Sequence, residues 1–441
     1  MAQVLGRTAS RWTGALRRSL LRSSQFHTSA PQATISVVRW GYGTEGFVHC
    51  ESEAAEKISV QASGNRYLGA GTSHYLIGLS NENDCSILVG GMNNSGQLGN
   101  GTTSEDVTHS SIKPGDFEIL ALACGREHSM ILVKDCKFPS PSVQTSPAVK
   151  TALYAFGNSM YGQLGLGVSK DTLSSKSSGS MDSGLVFKAS PTKVELSDPS
   201  ENVIQVQCGL DHTVLLTDQG NLYTMGWGAD GQLGLGPESS SDRAVPTLIE
   251  RLSWKAKGKE VGRIKQISSS TDFTLALTEN NQLWIWGNAE YGQCMVNKKI
   301  DRILEPMLIP HPISETETIA SVAAGGTFGL LLTESGKVYT CGYGALGLGR
   351  DKIQVLMPEQ ITSLSGIRKI VASTDQAAAI DDKGHLYTWG TYGKIGRLVR
   401  RNLEDCFTPK RADEVFRERN VTVLDVALGQ DGGLALIDYK G

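Results

Sequence analysis

The stretch VIQVQCGLDHTVLLTDQGNLYTMGWGADGQLGLG, residues 203–236, is repeated along the chain. Related copies start at Ile264 (IKQISSSTDFTLALTENNQLWIWGNAEYGQC), Ile319 (IASVAAGGTFGLLLTESGKVYTCGYGALGLG) and Ile367 (IRKIVASTDQAAAIDDKGHLYTWGTYGKIG). Earlier copies contain FEILALACGREHSMILV with TALYAFGNSMYGQLGLG, and YLGAGTSHYLIGLS with DCSILVGGMNNSGQLGNG; the two ends supply halves, VVRWGYGTEGF from Val37 and VTVLDVALGQDGGLALID from Val421. Such a period constrains the fold strongly, because each repeat is one supersecondary unit that can bury its apolar faces only against its neighbours.

Two anchor series run through the copies. The glycine after an aromatic slot falls at Gly41, Gly91, Gly157, Gly226, Gly287, Gly342 and Gly390, and an earlier slot falls at Gly71, Gly125, Gly209, Ser270, Gly325, Ser373 and Gly429. Both series have seven members. Within a unit, 203–207 and 222–225 alternate apolar and polar residues, and 213–217 is β-branched or apolar, which suits a strand buried on both faces. A tight turn between the second and third strands places Gly220, Asn281, Gly336 or Gly384 where a positive φ is needed. The chain therefore reads as all-β. Its 50 glycines fit many tight turns.

Units of roughly 50 to 65 residues with about four antiparallel strands leave only short edges when they close into a ring. The first copy lacks its leading strands and the last its trailing ones, so 421–439 is expected to pair with 35–41 in a shared blade. The signatures Cys124-Gly125-Arg126-Glu127-His128-Ser129, Cys208-Gly209-Leu210-Asp211-His212-Thr213 and Tyr161-Gly162-Gln163-Leu164-Gly165 resemble those of the regulator-of-chromosome-condensation repeat family. The resemblance covers about residues 35–440 and implies a seven-bladed β-propeller. It extends to a mitochondrial member of the family. That implies protein partners: a GTPase of inner-membrane fusion, regulated in the manner of a guanine-nucleotide exchange factor, or assembly factors of the mitochondrial large ribosomal subunit with its rRNA-modification module.

The pattern G-x-G-x-x-G occurs at 41–46, 226–231 and 342–347, each time at the same point of a repeat. A dinucleotide-binding loop should occur once, between a strand and a helix. These glycines therefore read as turns, and no cofactor is expected. His74, His128 and His212 share a slot that elsewhere holds Phe273, Phe328, Gln376 and Gly432. A slot that accepts Phe is a packing position, with the imidazole expected to bond a neighbouring backbone group. No Ser/His/Asp set or Cys/His pair stands apart from the repeat, so no catalytic residue or metal ligand is assigned. The eight cysteines show no zinc-like spacing and read as free, mostly buried thiols.

The position before the histidine slot is Ser73, Glu127, Asp211, Asp272, Thr327, Asp375 and Asp431. Related by propeller symmetry, its carboxylates would lie on one face around a central channel, where they could attract a basic partner; the alternative is that each caps its own turn through backbone amides. Trp227 and Asp230 vary between copies inside a constant glycine frame and are further candidates for partner contact. Three insertions depart from the repeat: 136–150, with prolines; 168–184, Ser-rich, with the composition of a solvated or disordered loop; and 251–263, where Trp254 lies among Arg251, Lys255, Lys257, Lys259 and Arg263. A tryptophan in a basic loop suits a protein partner or an RNA contact, or simply packs on its own blade. Lys394, Arg397, Arg400 and Arg401 form a second basic run, read as surface.

The first 34 residues carry Arg7, Arg11, Arg17, Arg18 and Arg22 and no acid, with Ser, Thr and leucines interspersed. This reads as a mitochondrial transit peptide, cleaved between Phe26 and Ala33, and places the protein in the matrix, where the resemblance also suggests peripheral inner-membrane association. Setting those five aside leaves 37 of the 42 basic residues against all 45 acidic ones, which argues against DNA or general nucleic-acid binding. No apolar run reaches the ~18 residues of a membrane span.

Overall fold

A strand with both faces apolar must be covered on both sides, and here the covers are the neighbouring blades. The structure is a computed structural model of the chain, and it describes residues 34–41, 56–59, 65–80, 85–104, 106–112, 117–135, 150–174, 186–239, 241–253, 261–309, 313, 316–390, 406–412, 421–430 and 432–439. In the 203–248 unit, Val203–Cys208, His212–Thr217, Leu222–Gly226 and Arg243–Leu248 run antiparallel in that order. The first three match the expected strands, each extended by one residue. His212–Thr217, Phe273–Thr278, Phe328–Thr333 and Gln376–Asp381 are buried at every position. The expected hairpin residues have φ of +79° at Gly220, +65° at Asn281, +78° at Gly336 and +84° at Gly384.

The described residues form seven four-stranded sheets, the blades of a seven-bladed β-propeller. Counted from Asn65, six blades span 65–112, 117–194, 203–248, 264–309, 319–360 and 367–411. The seventh joins the two ends of the chain: Thr34–Gly41 pairs antiparallel with Gly432–Tyr439, from Thr34 opposite Tyr439 to Gly41 opposite Gly432. Glu56–Ser59 and Val421–Leu428 flank that pair. This is the expected clasp, and it converts two half-copies into a complete sheet with no exposed central edge.

The turn from first to second strand and the loop after the third strand emerge at the same end of each blade, called the upper face below. The opposite end carries the second-to-third hairpins and most links between blades. The Ser-rich insertion departs from expectation at its start, because Lys170–Ser174 is a short α-helix. Its physical cause is a reciprocal cap: Ser169 N donates to Thr172 Oγ1 (2.7 Å) and Thr172 N to Ser169 Oγ (3.3 Å). Residues 1–33, 136–149, 175–185 and 254–260, the run 394–401 and Asp431 lie outside the described residues, and with them the transit peptide, Trp254, Lys255, Lys257 and Lys259.

Candidate functional site

The upper-face turn is closed by the slot residue, a glycine in five of the seven copies. Gly209 N donates to His212 O (2.9 Å), as Gly71, Gly125 and Gly325 donate to His74, His128 and Phe328. The residue before the histidine then offers its carbonyl to the chain leaving the third strand: Asp211 O accepts from Trp227 N (2.8 Å), and Asp272 O from Asn288 N (2.9 Å). Gly226, at φ +108°, makes this approach, and a Cβ there would sit 2.3 Å from Asp211 O. Gly287 and Gly342 repeat it at φ +103° and +122°, and a Cβ on Gly390 would lie 2.5 Å from Asp375 O. The first glycine of the G-x-G-x-x-G pattern thus serves a turn at Gly226 and Gly342, as expected; residues 42–46 of the remaining occurrence lie outside the described residues.

The histidines reach further than expected. Besides backbone bonds from His74 to His128 and from His128 to His212, they bond hydroxyls of the next blade: His74 Nε2 to Ser129 Oγ at 2.9 Å, His128 Nε2 to Thr213 Oγ1 at 3.1 Å, and His212 Nε2 to Ser269 Oγ at 2.8 Å. Ser129 Oγ itself donates to Gln97 O (2.8 Å) and Thr213 Oγ1 to Gln163 O (2.9 Å). A hydroxyl whose proton is committed can only accept, so His74 and His128 carry their proton on Nε2 and are neutral. Burial holds them so, lowering His74 to about 4 and His128 and His212 to about 3. Packing explains the slot glycine, since a Cβ on Gly125 would fall 2.1 Å from His128 Cε1 and one on Gly209 would fall 2.0 Å from His212 Cε1.

Gln97, Gln163, Gln232 and Gln293 are the buried glutamines of the loop after the third strand. Each holds its own loop: Tyr161 N donates to Gln163 Oε1 (3.0 Å) and Asp230 N to Gln232 Oε1 (2.9 Å). Each loop also packs on the following blade, where Trp286 Nε1 donates to Gln232 O (3.0 Å). The Gly-Gln-Leu-Gly motif is therefore mortar between blades.

Around the channel mouth, the acidic slots of the second, third and fourth blades draw together. Glu127 Oε2 accepts from Ser95 Oγ (3.0 Å) and Asn158 Nδ2 (2.9 Å). Asp211 pairs with Arg126 at 2.9 Å. Asp272 is reached by Gln232 Nε2 at 3.5 Å. Their carboxylates bond side chains; it is their carbonyls that serve the turns. Burial, followed by the charges of Asp230 and Asp211, raises Asp272 to about 6. Burial also raises Asp211, against the pull of Arg126. The turn residues Gly71, Gly125, Gly209, Thr271, Thr374 and Gly429 line the channel itself.

Outside this cluster the loops carry aromatic pairs that bridge blades. Tyr161 of the second blade meets Trp227 of the third in a tilted ring contact with centroids 5.9 Å apart, and Tyr291 of the fourth meets Tyr343 of the fifth likewise at 6.1 Å. Met92, Met160, Tyr291, Tyr343 and Ile353 are exposed on the same face. Among the described residues, no group of three or more His, Cys, Asp or Glu could hold a metal ion, and no helix is long and apolar enough to cross a membrane.

The profile of the Regulator of chromosome condensation (RCC1) repeat matches residues 86–132, 152–216, 219–277 and 335–380, and a second profile of the same repeat matches 203–232, 264–293 and 319–347. The chain belongs to the regulator of chromosome condensation repeat family. It is 28% identical over 333 residues to the mouse RCC1-like G exchanging factor-like protein, covering 72% of this chain and 62% of the relative, and 28% identical over 334 residues to the human one, covering 72% and 61%. The chain thus spans about three fifths of the length of these curated relatives. It is also 28% identical to the Arabidopsis thaliana ultraviolet-B receptor UVR8, over 81% of this chain and 72% of that one. Among solved structures, human WBSCR16 superposes with a TM-score of 0.71 at 24% identity, covering 92% of this chain and 99% of that one. Saccharomyces cerevisiae Prp20p, whose binding to Gsp1p and histones was studied with its structure, gives 0.69 at 19%, covering 93% of each. Both share the propeller fold.

Against this RCC1 frame, the structure brings Glu127, Asp211, Asp272, Trp227 and Asp230 onto adjoining parts of one face, and Asp375 takes the equivalent slot two blades beyond Asp272. Sequence reasoning passed over Arg126, which pairs with Asp211, and Asp242, whose Oδ1 accepts from Gly228 N at 3.2 Å. It also read Tyr161 only as part of a fold motif. One signal was available: the residue before Gly-Gln is Ser95, Tyr161, Asp230 or Tyr291 in successive copies, a variable position inside an invariant frame.

Proposed function

We propose that this RCC1-repeat propeller is an exchange-factor-like regulator of a GTPase inside mitochondria, acting through its upper face. The carrying observation is the concentration of Glu127, Asp211, Asp230 and Asp272 beside the Tyr161–Trp227 pair, across the second to fourth blades. Buried aromatic anchors with flanking charge are what a tight protein interface needs, and the acidic field would speed the approach of a basic partner surface. The names of the mouse and human relatives support an exchange role. Exchange asks no covalent chemistry of the propeller: it need only bind the nucleotide-free partner better than the loaded one. The Arg-rich, acid-free start supports the mitochondrial part of the reading.

Release of a fluorescent GDP from purified mitochondrial GTPases, the inner-membrane fusion GTPase among them, tests this with residues 35–441. Faster release with catalytic amounts of propeller is the expected result. Binding without any change in release rate would replace exchange by scaffolding, as in assembly of the large ribosomal subunit. Import of the full chain into isolated mitochondria, with loss of its first 30 or so residues, tests the location.

A further inference from the structure

The two bridging aromatic pairs occupy the same repeat positions, yet only one already holds a ligand. Lys170 Nζ stands 4.3 Å from the centre of the Tyr161 ring and 3.8 Å from Asp242 Oδ2. An ammonium over an aromatic face beside a carboxylate is a complete cation seat. Its walls are held from both blades: Trp227 packs on Tyr161 in a tilted contact, and Asp242 accepts from Gly228 N and is mostly buried. Its occupant is less enclosed: the Lys170 side chain is about half exposed, on a five-residue helix at the start of the Ser-rich insertion, whose backbone is tied to the loop by Lys170 N donating to Met160 O at 2.9 Å. A lysine on the insertion thus occupies a seat built from the loops of two blades.

We propose that Tyr161, Trp227 and Asp242 form a binding seat for a lysine or arginine side chain of a protein partner, and that Lys170 is a tethered stand-in which the partner's cation displaces. Charge complementarity favours that occupant. Asp230 follows Trp227 in the same loop, and Asp211 and Asp272 lie inward of it, so a basic segment seated at Tyr161 would run toward carboxylates. Lys170 then sets a threshold: the partner competes with an intramolecular cation at high effective concentration. The proposal rests on the upper face as the partner surface, but not on exchange.

Its test uses the full chain and a fluorescein-labelled octalysine peptide as probe, read by anisotropy at moderate salt. Lys170→Ala should vacate the seat and tighten peptide binding about two- to fivefold, the range expected when a competing cation–π contact of ordinary strength is removed. Adding Tyr161→Leu or Asp242→Asn to Lys170→Ala should abolish that gain. Lys193→Ala, which removes an equally exposed lysine from the outer strand of the same blade, controls for net charge. The proposal is overturned if Lys170→Ala leaves binding unchanged, if Lys193→Ala gives the same gain, or if the gain survives Tyr161→Leu. Nucleotide release is scored separately, so a chain that shows the Lys170 effect and no exchange refutes the exchange reading and leaves the seat standing.

Discussion

His128 Nε2 lies 3.1 Å from Thr213 Oγ1 across the seam between the second and third blades, and both side chains are fully buried. Because Thr213 also donates to Gln163 O, one hydroxyl ties the second strand of one blade to the second strand and the long loop of another. Thr213→Val keeps the shape but strands the imidazole N–H and the Gln163 carbonyl. Each stranded group costs about 1–3 kcal/mol. His128→Phe leaves Thr213 still bonded to Gln163 and places in the slot the residue that Phe273 and Phe328 put there. Urea unfolding should therefore rank Thr213→Val as the more destabilising, and the reverse order would remove the latch from the account.

The same histidines predict how stability responds to acid. Their folded pKa values lie near 3 to 4, below the ordinary 6.5 of an unfolded chain. The unfolded state therefore binds more protons below pH 6.5. Stability is full above that pH and falls as pH drops toward the folded values. Each histidine contributes about 1.4 kcal/mol per pH unit in that window. Asp272, raised to about 6, works in the opposite direction between pH 6 and 3.8, and Asp211 and Asp242, also raised by burial, add to that opposition at lower pH. The urea midpoint should fall between pH 6.5 and 5, and His128→Phe should flatten that slope by about a third above pH 6 and by more below it. A slope unaffected by the substitution would mean that the imidazole is not held neutral.

Glycines that look alike in sequence separate in space. A Cβ on Gly226 would meet Asp211 O at 2.3 Å, whereas Gly236, at φ +88°, has nothing within 4 Å. Gly236→Ala should cost only the conformational term, about 1–2 kcal/mol. Gly226→Ala must also part Asp211 O from Trp227 N, which adds at least ~1 kcal/mol. Thermal unfolding of the two variants decides this; equal costs would mean the Gly226 turn can relax.

Blade architecture was open to sequence reasoning because its causes are local and repeated. Gly220 and Asn281 mark a positive φ by residue type, and the β-branched or apolar 213–217 run declares burial on both faces. The clasp followed from two half-copies that complete each other. Contacts between repeats were hidden. The partner of His128 lies 85 residues away in Thr213, and nothing in either slot states which neighbour the imidazole faces. Lys170 was obscured by composition, because a Ser-rich insertion reads as solvated until Ser169 and Thr172 are seen to cap each other. Glu127, Asp211 and Asp272 were legible as a slot. What their carboxylates bond was not, since Arg126, Ser95 and Gln232 reach them from separate loops.

Asp272 offers the sharpest separation of function from stability. Burial and the charges of Asp230 and Asp211 raise its carboxyl to about 6, above the usual carboxylate value. At pH 7.5 it is ionised in the folded and unfolded states alike, so the folded protein bears the cost of the buried charge, a cost that disappears only as pH falls below the ordinary value near 3.8. Asp272→Asn removes that charge and keeps a side chain that can still bond Gln232. It should stabilise the protein at pH 7.5 by about 1–3 kcal/mol, with little effect at pH 4. A residue held against stability has a reason to be retained elsewhere. If the reason is a basic partner, Asp272→Asn should slow association with octalysine severalfold at low salt and matter little at high salt, where screening removes the field. Stabilisation with unchanged association at every salt concentration would exclude Asp272 from the partner surface.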